Sequence, residues 1–153
     1  GFLSWYKKIC IQKESFYNIT LHKNNINVTL NALLDTGNNL KEPITKKPVI
    51  IAEFIALKPI LPEKLKEIFY EKQEDNLNKL LELGHNADIR LIPFKSVGKK
   101  NGLLIGTKID MIEIHTENKI ILKDVIVAIS NFNLCNDNFY NALLNPELIN
   151  CFN

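Results

Sequence analysis

The chain has 153 residues, 46% of them hydrophobic, and a net charge of +2 from 19 basic and 17 acidic residues. That length buries one core and is most simply a single domain, and the two signs of charge are too interspersed to build a basic field for nucleic acid. No stretch reaches the roughly 18 to 20 consecutive apolar residues of a membrane-crossing helix.

Cys10, Cys135 and Cys151 are odd in number, far apart and without a Cys-x-x-Cys pair, so they read as reduced thiols and small hydrophobes, not as a disulfide frame. His22, His85 and His115 stand in separate segments with no ligand-like spacing. Neither a metal site nor a cysteine–histidine nucleophile pair is expected, and neither the phosphate-loop nor the dinucleotide glycine pattern occurs. The expected cofactor and metal are therefore none.

In chain order, Phe2-Leu3-Ser4-Trp5-Tyr6-Lys7-Lys8 comes first. It reads either as the exit of an apolar segment, with interfacial aromatics and a basic flank, or as a mobile tail. Phe16 to Thr20 and Ile26 to Leu34, rich in β-branched and aromatic residues, predict a hairpin around Lys23-Asn24-Asn25 that leads into a loop at Asp35. Asn38 to Pro43 breaks the pattern, and Pro48 to Ala52 resumes it as a short apolar strand.

Pro62 to Leu83 changes period. Leu65, Ile68, Phe69, Leu77, Leu80 and Leu81 recur at three- and four-residue intervals, with Gly84 as a stop. One amphipathic helix or two is expected, docked on the sheet or offering a face to a partner. Arg90 to Val97 and Leu103 to Ile105 flank Gly98-Lys99-Lys100-Asn101-Gly102, and Asn-Gly between apolar runs predicts a hairpin. Met111 to His115 and Lys119 to Ile129 predict another hairpin across Glu117-Asn118, with Val125 to Ile129 in the core beside Asp35. Past Ser130, Tyr140 to Leu144 reads as a helical turn before Pro146, and the last residues as a segment able to pair with a partner chain. The sequence holds no internal repeat and no low-complexity linker.

Ala32-Leu33-Leu34-Asp35-Thr36-Gly37 carries the chemistry. An Asp-Thr-Gly triplet behind apolar residues is how an aspartic peptidase presents a catalytic carboxylate, and the alternative is an ordinary turn at a strand end. Peptide hydrolysis by carboxylates needs two of them about 3 Å apart sharing one proton, one ionised to activate water and one protonated to polarise the carbonyl. The other aspartates are followed by Asn76, Ile89, Met111, Val125 and Asn138, so none has Thr-Gly or Ser-Gly behind it. The second carboxylate must come from a second chain, and a two-fold axis makes the two copies of Asp35 equivalent. Leu33 and Leu34 anchor a buried strand, Thr36 offers a hydroxyl to join the two loops, and Gly37 lets its amide approach the carboxylate. The glycine-bounded hairpin tip, with Val97, Gly98, Asn101 and Gly102, is a candidate flap over a substrate, backed by Ala128 on the core strand; a plain surface turn is the other reading.

The run Asp35-Thr36-Gly37-Asn38-Asn39-Leu40, Pro43, Thr45, Pro48-Val49, with Arg90-Leu91-Ile92-Pro93-Phe94, Ser96-Val97-Gly98, Gly102, Leu104 and Gly106, resembles the peptidase domain of the sporulation sigma-E factor processing peptidases of endospore-forming bacteria. The shorter Ala32–Gly37 segment resembles the retropepsin active-site segment. The resemblance covers most of residues 16 to 149. It implies a mainly β, retropepsin-like single lobe with a closed, barrel-like sheet and one helical insertion over residues 16–153. It also implies that residues 1–15 are a juxtamembrane segment behind an N-terminal membrane domain, with the peptidase domain in the mother-cell cytoplasm. The implied activity is an aspartic endopeptidase, active as a homodimer, that removes the pro-sequence of the sigma-E precursor after a signalling protein acts through the membrane domain. Asp35 matches the catalytic aspartate, with Thr36, Gly37 and Asn38 as motif partners; Asn38 departs from general retropepsins, which place a small residue there. A catalytically silent dimerisation or peptide-docking module is the alternative.

Overall fold

β1 (Phe16–Lys23) and β2 (Ile26–Leu34) pair antiparallel, with Lys23 opposite Ile26. The computed structural model describes residues 16–71, 88–95 and 102–150. Asn24 and Asn25, the two residues of the turn, both take positive φ, 52° and 65°. A two-residue turn of that hand matches the twist of its strands, and asparagine tolerates the left-handed region better than most residues. The predicted hairpin is there, with its first strand three residues longer than expected.

β3 (Val49–Glu53) runs into α1 (Phe54–Leu57), a 3-10 turn (Lys58–Ile60) and α2 (Glu63–Glu71). β4 (Ile89–Phe94), β5 (Gly102–His115), β6 (Ile120–Ser130), β7 (Ala142–Leu144) and α3 (Glu147–Asn150) complete the described chain. The strand order is β1-β2-β7-β3-β6-β5-β4, and β1 also pairs with β5. Six strands thus close into a barrel, and β4 hangs outside on β5. The fold is mainly β with few helices, as expected.

Two pairings are parallel, β2 with β7 and β3 with β6; the others are antiparallel. Alternation sends Ile19, Leu21, Leu30, Ala32, Ile50 and Ala52 inward to one buried cluster. Each large side chain fully buried there contributes about 1.5–3 kcal/mol. Lys23 continues the inward series of β1, and its ammonium group is satisfied: Nζ donates to the Lys108 carbonyl at 2.6 Å and meets Asp88 Oδ2 at 3.3 Å.

All five residues of Val125–Ile129 are buried, which explains why they read as an unbroken apolar run. Val125, Val127 and Ile129 face the barrel core; Ile126 and Ala128 join Val49 and Ile92 in a second cluster on the other face. The run does not lie directly beside Asp35, however. β7 and β3 stand between β2 and β6 in the strand order.

Leu65, Ile68 and Phe69 of α2 enter the barrel cluster, and Phe69 stacks on Phe54 with ring centroids 5.1 Å apart. The expected helix therefore exists over Glu63–Glu71 and docks one face on the sheet; residues 72–83 lie outside the described residues, as do residues 1–15, His85 and Cys151. The helical turn expected at Tyr140 to Leu144 is not formed. Ala142–Leu144 is a strand instead, parallel to β2 and antiparallel to β3. So short an apolar run has no readable period of its own, and the two flanking strands impose its conformation.

Candidate active site

Asp35 follows Leu34 where β2 leaves the barrel. Its backbone N–H donates to the Leu144 carbonyl at 3.1 Å, which extends the β2–β7 pairing to the aspartate itself. A turn forms at once: Asn38 N–H donates to the Asp35 carbonyl at 2.9 Å, and Gly37 N–H donates to Asp35 Oδ1 at 2.9 Å. A Cβ on residue 37 would lie 3.3 Å from Oδ1, so glycine is what allows the amide so close to the carboxylate. Asp35 is half-buried, and Thr36 and Gly37 are exposed.

Asn38 is buried and points the other way. Its Nδ2 donates to the Val49 carbonyl at 3.0 Å and, at 3.4 Å, to that of Leu143, while its Oδ1 accepts from Leu40 N–H at 3.2 Å. The larger residue at this position therefore braces the loop against β3 and β7, and Gly37 supplies the amide on the carboxylate. The Leu40 carbonyl in turn accepts from Val49 N–H and from Asn145 Nδ2, both at 3.0 Å.

Farther along the same loop, Glu42 is 1% exposed. It accepts from the Thr45 amide and hydroxyl, and Arg90 Nε stands 3.8 Å from its Oε1. Burial pushes its carboxyl up, but the bonds from Thr45 and the Ile44 amide, with Arg90 behind them, outweigh this and hold it below the ordinary value.

The segment before β7 flanks Asp35 in a way the sequence did not disclose. The Tyr140 ring lies 6.0 Å from that of Phe16, which pairs with Leu33, two residues before Asp35. Burial first, then the Cys135 and Asp35 side chains, push the Tyr140 phenol above its ordinary value. Asn31 anchors this segment through its Nδ2 to the Phe139 carbonyl and through its backbone N–H to Asn141 Oδ1. One signal for it was present: the four residues Asn31-Ala32-Leu33-Leu34 recur as Asn141-Ala142-Leu143-Leu144.

Of the candidate flap residues, Val97, Gly98 and Asn101 lie outside the described residues. Gly102 opens β5 opposite Phe94, and a Cβ there would fall 2.1 Å from the Phe94 ring. Ala128 is fully buried between β3 and β5 and offers no surface to a ligand in this arrangement. Among the described residues no group of three or more His, Cys, Asp or Glu is arranged to hold a metal ion, and no helix is long and apolar enough to cross a membrane.

The family model described as Sporulation factor SpoIIGA, a peptidase family, matches residues 1–148. The chain belongs to that family. It is 32% identical over 156 residues to a sporulation sigma-E factor-processing peptidase of Priestia megaterium, covering 96% of this chain and 51% of the relative. It is 28% identical over 144 residues to the protein of that name in Bacillus subtilis, covering 91% of this chain and 46% of the relative. The chain thus spans about half the length of these curated relatives. No solved structure matches it.

Proposed function

We propose that this member of the SpoIIGA family is the catalytic domain of an aspartic endopeptidase that removes the pro-sequence from a sporulation sigma factor precursor, at a site built by two copies that each contribute Asp35. The observation that carries the reading is the single Asp-Thr-Gly turn at the open end of β2, with a backbone amide already on the carboxylate. A half-buried carboxylate at the mouth of a barrel is accessible both to a symmetry mate and to a peptide.

Chemically, the two copies of Asp35 would share one proton. The ionised member takes a proton from water as the water attacks the scissile carbonyl carbon, and the protonated member donates to the carbonyl oxygen. The Thr36 hydroxyl, exposed beside the aspartate, is available to join the two loops. The β4–β5 hairpin would close over an extended peptide through its tip, Val97, Gly98, Asn101 and Gly102, and exclude water there. In the full-length protein, residues 1–15 would follow a membrane domain, with this domain on the mother-cell side of the septum and a signalling protein acting through the membrane part.

Support comes from the family membership, from the names of the relatives and from the resemblance at Asp35–Val49. The test is incubation with a sigma factor precursor, with native chain and Asp35→Ala compared by the mass of the products. Cleavage at one position by the native chain alone is expected; unchanged cleavage by Asp35→Ala returns the chain to the docking alternative. A membrane anchor raises local concentration, so the excised domain should dimerise weakly. Sedimentation showing a tight dimer at nanomolar concentration would contradict that.

A further inference from the structure

The two copies of Asn-Ala-Leu-Leu lie side by side, with Ala32 level with Ala142, Leu33 with Leu143 and Leu34 with Leu144. Asp35 ends the first copy and Asn145 the second. Both residues open the same turn. Gly37 N–H donates to Asp35 Oδ1 at 2.9 Å, and Glu147 N–H donates to Asn145 Oδ1 at 3.0 Å. Asn38 N–H donates to the Asp35 carbonyl at 2.9 Å, and Leu148 N–H donates to the Asn145 carbonyl at 3.0 Å.

The side chains that open the two turns differ in one atom and in burial. Where Asp35 has a second carboxylate oxygen and is half-exposed, Asn145 has an amide nitrogen, is 1% exposed, and donates to the Leu40 carbonyl at 3.0 Å. A carboxylate at 145 would present an oxygen to the Leu40 oxygen. It would also place a second negative charge one residue beyond β7, next to the turn that Asp35 opens one residue beyond β2. A nearby like charge raises a carboxyl pKa, whereas the shared-proton site needs its like charge from the partner subunit alone.

We propose that Asn145 is a positioning residue for Asp35: its amide ties down the loop behind the aspartate, and its neutrality leaves each subunit with a single carboxylate at the paired turns. This rests on the reading of Asp35 as catalytic.

Asn145→Asp and Asn145→Ser separate charge from shape. Asn145→Asp keeps the acceptor for Glu147 N–H but loses the amide donor to Leu40 and adds the charge; Asn145→Ser trades the amide for a shorter hydroxyl and stays neutral. Precursor cleavage is measured across pH, and the Asp35 carboxyl is titrated by NMR in each protein. For Asn145→Asp the acid limb of the rate profile and the Asp35 titration are both expected to move up, with kcat several-fold lower on that acid limb and KM unchanged. Asn145→Ser should melt a few degrees lower and lose several-fold in kcat, with neither the acid limb nor the Asp35 titration displaced along the pH axis. A native profile and native titration in Asn145→Asp overturn the proposal, as does an equal shift in Asn145→Ser.

Should Asn145→Asp unfold near neutrality, acid should refold it, because protonation removes the charge and restores a donor to Leu40. A chain that stays unfolded in acid while Asn145→Ser folds counts against the charge argument. If the native chain cuts nothing, the peptidase reading falls, and the Asp35 titration still decides whether residue 145 acts on that carboxyl.

Discussion

The Asn38 amide donates to the Val49 carbonyl at 3.0 Å, so the turn behind Asp35 is fastened to the first residue of β3. Asn38→Ala would strip that carbonyl of this donor and Leu40 N–H of its acceptor in a buried setting. A loss of about 1–3 kcal/mol is expected, since a deserted buried polar group costs its desolvation. Urea denaturation should show a lower midpoint at unchanged slope. Asn38→Asp should fare no better, because the Val49 carbonyl needs a donor. A native midpoint in both variants would remove the bracing role.

Glu42 makes stability depend on acid. Its carboxyl is held below the ordinary value of 4.5 in the folded chain, so the unfolded chain takes up the proton first as pH falls. The stabilisation is present above about pH 4.5 and is lost as pH drops through and below that value. Thermal melts from neutral to acid pH should show native and Glu42→Gln proteins converging in Tm. A gap that stays constant across this range would exclude Glu42 as the titrating group.

Gly106 is required by its neighbours rather than by its backbone angles. A Cβ there would sit 2.7 Å from Ile92 Cδ1 and 3.0 Å from the Val127 carbonyl oxygen, at the point where β5 carries β4 on one side and β6 on the other. Gly106→Ala should cost about 1–3 kcal/mol through overpacking. Adding Ile92→Val, which removes the Cδ1 atom, should recover part of that loss. Additive effects of the two changes, measured as a double-mutant cycle, would show that the clash is not the cause.

The Asn24-Asn25 turn can be improved. With φ of 65° at its second residue, Asn25→Gly should stabilise the hairpin by up to about 1 kcal/mol. Calorimetry should show a Tm above native. A lower Tm would mean that the asparagine side chain contributes more than its backbone strain costs.

Much of this fold was legible because its causes are local. The β1–β2 hairpin follows from β-branched runs around two asparagines, α2 from the spacing of Leu65, Ile68 and Phe69, and β6 from an apolar run long enough to be buried on both faces. Asp35 stood out as a candidate for a chemical reason, since an Asp-Thr-Gly triplet behind leucines is how an aspartic peptidase presents its carboxylate. β7 was not legible. Three residues carry no period, and the strand exists because β2 and β3 leave a slot between them.

By itself the amino-acid order determined the strand-rich class and singled out Asp35 as the candidate carboxylate, whose single Asp-Thr-Gly triplet is the ground for proposing that a second chain supplies its mate. Only the tertiary structure decided that β1 closes on β5 and that Asn145 opens beside Asp35 the same turn without its charge. The physical reason is separation along the chain. Residues 35 and 145 become neighbours through a parallel pairing that no local propensity encodes, and the register follows from burying Ala32, Ala142 and Leu144 in one core.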